Sequence, residues 1–169
     1  MRQRVFLMRR IAAILGVAAI VMMTTSVFAQ APNFAGKWTR DAEKMAAMAQ
    51  GGAPAGGGRG GGGGMGGGDM TITQDAKTLV ISRLVQEMEM RTTYNLDGTP
   101  SKNMTMGRGG QTEVTSTAKW DGAKLLVTSD NGQTITYAMD GAWMTQTTLA
   151  PGRNGGPGTP RTTYFKKAM

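Results

Sequence analysis

Four dipeptides, Asp97-Gly98, Asp121-Gly122, Asn131-Gly132 and Asp140-Gly141, punctuate the second half of the chain. Each sits between runs that alternate polar and apolar residues. Asp-Gly and Asn-Gly supply the positive φ of a tight hairpin turn, so each pair folds its flanking strands back antiparallel. The expected strands are Met70–Gln74, Thr78–Val85, Met88–Leu96, Lys102–Met106, Thr112–Trp120, Lys124–Ser129, Gln133–Met139, Trp143–Leu149 and Arg161–Lys166. Short turns between consecutive strands imply a meander. The stretch Pro151 to Pro160 (PGRNGGPGTP) reads as a loop before the last strand.

Side chains alternate across a strand, which sorts these residues into two faces. Met88, Met90, Thr92, Tyr94 and Leu96 share one face, with Glu89, Arg91, Thr93 and Asn95 on the other. Val114, Ser116, Ala118 and Trp120 oppose Glu113, Thr115, Thr117 and Lys119; Ile135, Tyr137 and Met139 oppose Thr134, Thr136 and Ala138. Each strand is therefore half buried. Trp143 and Met144 point to opposite sides, which leaves the inner face of that strand open. A sheet with so many strands either stacks as two layers or curls into a barrel that removes its edges.

The rest of the chain sets the surroundings. At 169 residues there is room for one domain. With no His and no Cys, the Ser-His-Asp and Cys-His nucleophile systems, zinc fingers, the usual haem and iron–sulfur ligands and disulfides are all excluded. Residues 1–29 read as a signal peptide: Arg2, Arg4, Arg9 and Arg10, then an apolar run from Ile11 to Met23, then Val27 and Ala29 ahead of a cut after Ala29. The competing reading is an uncleaved anchor over Ile11 to Ala29. The expected destination is the periplasm or the medium. Loss of the leader's four arginines lowers the net charge from +8 to +4. The remaining cations, among them Lys37, Arg83, Lys119, Lys124 and Lys166, are scattered and read as a solvated surface, so nucleic acid is not an expected partner.

Residues 30–50 are expected to hold a first extended segment, Asn33 to Trp38, and a short helix over Thr39 to Gln50 with Asp41 as its N-cap. In residues 51–68, 13 of 18 positions are Gly, which leaves almost nothing to bury and predicts a disordered loop. Residues 69–169 would then complete one domain with 30–50. The opening Asn33-Phe34-Ala35-Gly36-Lys37-Trp38 resembles the N-F-x-G-x-W start of lipocalins and fatty-acid-binding proteins, the calycin barrels. The resemblance implies an all-β fold: an up-and-down antiparallel meander closed into a barrel, as in small secreted bacterial lipocalin-like proteins. It places Gly36 and Trp38 on the first strand, the Trp closing one end of the barrel with Arg161 as the candidate partner stacked on it. The lipocalin Thr-Asp-Tyr motif and a C-terminal helix are not found in the sequence.

Three sharper chemistries give way to plainer readings. The pairs Met88-x-Met90, Met104-x-Met106 and Met45-x-x-Met48 offer soft thioethers, but strand alternation makes the first two same-face core fillers, and no His or Cys strengthens a site. No metal and no cofactor are expected. The Arg-Gly-Gly runs at Arg59 and Arg108 lack interleaved aromatics. Asn103-x-Thr105 matches a glycosylation acceptor, a pattern short enough to arise by chance. Asp97, Asp121, Asp130 and Asp140 belong to turns, and no pair of carboxylates is made to converge, so no enzyme activity is expected. Two functions remain. One is an exported barrel that binds a small apolar molecule through Met88, Met90, Tyr94, Trp120 and Tyr137, with no membrane anchor after cleavage. The other is a structural or interaction protein of the cell envelope, its barrel filled by its own side chains.

Overall fold

The alternating runs pair as one ten-stranded antiparallel sheet. The strands of this computed structural model are β1 (Gly36–Arg40), β2 (Met70–Gln74), β3 (Thr78–Val85), β4 (Met88–Asn95), β5 (Ser101–Gly107), β6 (Gly110–Asp121), β7 (Lys124–Ser129), β8 (Thr134–Asp140), β9 (Trp143–Leu149) and β10 (Arg161–Lys167); one helix, α1 (Ala42–Gln50), follows β1. The structure describes residues 31–50, 68–85, 88–107, 110–152, 156 and 158–168. The expected signal peptide, and the Gly-rich loop apart from Gly68, lie outside the described residues.

The sheet order, β4-β3-β2-β1-β10-β9-β8-β7-β6-β5, is an up-and-down meander whose ends meet. β1 joins the two halves, pairing Trp38 with Met70 on β2 and with Lys167 on β10. The two edges are consecutive strands, β4 and β5, lying side by side. The result is a nearly closed barrel. Gly98, Gly122, Gly132 and Gly141 all take positive φ, from 57° to 84°, as the four turn dipeptides require.

Register carries the inner face around the barrel. Leu79 pairs with Tyr94, Ile72 with Ile81, Ala118 with Val127, Leu125 with Tyr137 and Met144 with Phe165, and all of these belong to one buried core. Met144 therefore points inward and Trp143 outward, which settles the ambiguous strand. The chain start differs from expectation. β1 begins at Gly36, because Phe34 leaves the strand direction and turns into the core with no exposure at all. Gln74 holds this segment at both sides: its Oε1 accepts the Phe34 N–H at 2.8 Å and its Nε2 donates to the Pro32 carbonyl at 3.1 Å. The Trp38 indole donates to the Phe34 carbonyl at 2.8 Å.

The helix starts at Ala42 rather than Thr39, because Thr39 and Arg40 still pair with β10. Asp41 caps it, accepting the Lys44 N–H at Oδ1 (2.9 Å). Asp41 Oδ2 also accepts the indole N–H of the outward-facing Trp143 (3.1 Å), and Lys44 Nζ lies 4.3 Å from that ring's centroid. The helix is thus tied to the outer wall at β9 and β10.

Candidate functional site

The interior has an apolar end and a polar middle. At the apolar end Phe34 stacks on Trp120 (5.9 Å between centroids, 13° between planes) and tilts against Tyr137 at 6.3 Å. Leu79, Leu125, Ile72 and Met144 fill the space around them. This end of the barrel is plugged by the chain's own Phe34.

The middle is built from β3, β4, β8 and β9. Alternation from Leu79 through Ile81 puts Arg83 on the inner face of β3, where it is half buried. Its Nη2 reaches across the lumen to Gln146 Oε1 on β9 at 2.8 Å and touches Met70 Sδ at 3.2 Å. The phenols of Tyr94 on β4 and Tyr137 on β8 are buried close enough to influence each other's ionisation. Burial pushes the Tyr94 phenol well above its ordinary range, and Tyr137 adds to the push, while the positive charge of Arg83 opposes it. Burial likewise raises Tyr137, again opposed by Arg83. A guanidinium, two neutral phenols and a carboxamide therefore face one another inside an apolar wall. Such a cluster donates hydrogen bonds and carries positive charge, a combination suited to an anionic or strongly accepting group. Serines add to the polar lining elsewhere: Ser116 and Ser129 join their hydroxyls at 2.8 Å, and Ser101 Oγ donates to the Ser116 carbonyl at 3.1 Å.

An open groove of about 370 Å³ lies where β1 and β2 part company. Trp38, Met70 and Arg83 line its depth, and Lys37, Asp69 and Glu89 are among the residues around it. Arg83 thus belongs both to this groove and to the polar middle.

Of the residues picked out from sequence, Met90, Tyr94 and Tyr137 are buried on the inner face, and Trp120 packs half buried against the core. Met88 shares their face by register but stands at the strand end, 50% exposed. It is not an interior residue. Gly36 is on β1 at φ 138°, where an added Cβ would meet Lys167 Cε at 2.9 Å; Trp38 is buried. The cation nearest the Trp38 ring is Lys167, with Nζ 5.8 Å from its centroid, whereas Arg161 is exposed and pairs with Thr148. Arg161 stands at the opposite end of β10 from Lys167, which pairs with Trp38. Arg83, expected on the solvated surface, is the larger correction. The signal was present: Leu79, Ile81 and Arg83 share one parity in a strand whose other inner residues are apolar.

No protein-family model matches the chain, and no curated protein matches it. Solved structures do. One is the zebrafish ileal bile acid-binding protein complexed with cholic acid, with a TM-score of 0.51 over 80% of this chain and 98% of that one. The fold is calycin-like. Sequence identity to that protein is 15%, so the likeness is one of architecture.

Proposed function

We propose that this chain is an exported calycin-like barrel that binds a small amphipathic molecule, apolar in body and anionic or strongly accepting at one end. The observation that carries this reading is Arg83 held inside the barrel among Tyr94, Tyr137 and Gln146. The guanidinium is half buried, and a barrel that served only as a filled scaffold would do as well with an apolar side chain there. A polar middle beside apolar walls is the common make-up of small-molecule sites, and the groove at Arg83 is large enough to hold one. A bile acid, the ligand in the matched zebrafish structure, has this amphipathic character. The chain acts by binding rather than catalysis, and residues 1–29 direct it through the inner membrane and are removed.

The second reading, a filled barrel of the envelope, draws on Phe34, which is fully buried against Trp120 at the apolar end. The two are separated by titrating fatty acids, bile acids and their neutral alcohols while following Trp fluorescence, to which Trp120 contributes from the core. Saturable binding of the acids, weakened at least about tenfold by Arg83→Gln and little changed for the alcohols, is expected from a charge-assisted contact. Absence of binding across the panel leaves the filled barrel.

A further inference from the structure

Among the described residues, strands β4 and β5 bound the seam left unpaired in the sheet order. Midway along it the Asn103 side chain crosses. Asn103 on β5 accepts the Thr93 N–H at Oδ1 (2.8 Å) and donates from Nδ2 to the Thr93 carbonyl (2.9 Å). A carboxamide placed this way supplies both the donor and the acceptor that a neighbouring strand's backbone would offer. Asn103 is 8% exposed, so the clasp is sheltered from water. The glycosylation-like Asn103-Met104-Thr105 is thereby accounted for: its Asn is engaged in the wall.

We propose that the β4–β5 seam is the lateral entrance to the lumen and that Asn103 is its latch. The inference rests on the reading of the barrel as a binding protein. Each strand at the seam is anchored on its far side, β4 to β3 through eight register pairs and β5 to β6 through seven. Releasing Asn103 parts the wall without breaking a backbone ladder; opening the barrel elsewhere breaks one. The strands at the seam are also rich in methionine: Met88 and Met90 on β4, Met104 and Met106 on β5, with Met88 and Met104 half exposed. Unbranched thioether side chains move aside easily and tolerate an apolar molecule sliding past.

The test uses the full chain, with 8-anilinonaphthalene-1-sulfonate as an anionic aromatic probe, and compares wild type with Asn103→Ala in stopped-flow binding and release. A latch acts on the barrier and not on the site. Association and dissociation should both speed up about tenfold, on the scale of one or two net hydrogen bonds, while Kd moves by less than about twofold. Unchanged rates in a folded variant overturn the proposal. Faster dissociation alone also overturns it, because Asn103 would then be a binding contact. Asn103→Gln, which keeps the carboxamide but displaces it by one methylene, serves if the alanine variant does not fold; it should show the same pattern, smaller. Failure of the binding reading shows itself separately, as no probe uptake by the wild type, and removes the entrance. Hydrogen exchange of the free protein judges the latch independently. The Thr93 amide, which Asn103 holds directly, should exchange faster in Asn103→Ala, with β7 and β8 unchanged, and equal protection overturns it.

Discussion

Phe34 does at one residue what many barrels do with a helix or a longer plug. It is fully buried, it stacks on Trp120, and its backbone is held by Gln74 and Trp38. Phe34→Ala should cost about 3–5 kcal/mol in urea unfolding, the range for emptying a buried aromatic site. The sequence showed Phe34 only as part of an opening motif, because nothing local marks a side chain that leaves the strand direction. The two buried tyrosines make a second test. Their phenols ionise above the ordinary value of 10.0 in the folded chain, because burial disfavours the phenolate. Unfolded tyrosine loses its proton first, so stability is intact below about pH 10 and falls as pH rises beyond it. Unfolding midpoints measured across the alkaline range should show this fall, and Tyr94→Phe or Tyr137→Phe should shrink it.

The elements were largely legible, and the reason lies in their turns and parity. Asp121-Gly122 pins β6 to β7 and Asp140-Gly141 pins β8 to β9, so the register of those hairpins follows from the turn alone. Boundaries shifted where tertiary pairing prevailed over local preference, as with Thr39 and Arg40, which join β10 rather than the helix. The inner face of β9 was ambiguous because Trp143 and Met144 are both large and apolar. The outer one is claimed by Asp41 and Lys44 of the capping turn, which lie far away in sequence. The cap has its own pH signature. The Lys44 N–H, then the Trp143 indole, hold the Asp41 carboxylate below its ordinary 3.8. Its contribution is present at neutral pH and lost as acid protonates the folded form. Trp143 emission should therefore change with the helical circular dichroism in acid, and Asp41→Asn, which keeps a capping oxygen, should remove the acid step in Trp143 emission.

At the scale of the molecule, the reading as an exported binding barrel makes two further commitments. The secreted protein should have the intact mass of a chain beginning at Gln30; full-length chain retained in the inner membrane would refute export. Met90→Trp should block ligand uptake while costing less than the ~1–3 kcal/mol typical of overpacking, if the space around Met90 is real; a larger loss without any ligand uptake by the wild type favours the filled barrel. The position of β1 carries another consequence, for the order in which the barrel is made. β1 lies between β2 and β10, so Trp38 must wait for Lys167 before its far edge is paired. That contact joins positions far apart in the sequence, and such distant pairings slow folding because a long loop has to close first. Until β10 arrives, β1 and β9 both present open edges, the surfaces through which one unfinished barrel can pair with another. A chain cut after Pro160 should thus remain open and aggregate, and the full chain should refold with a slow final phase, visible as late burial of Trp38.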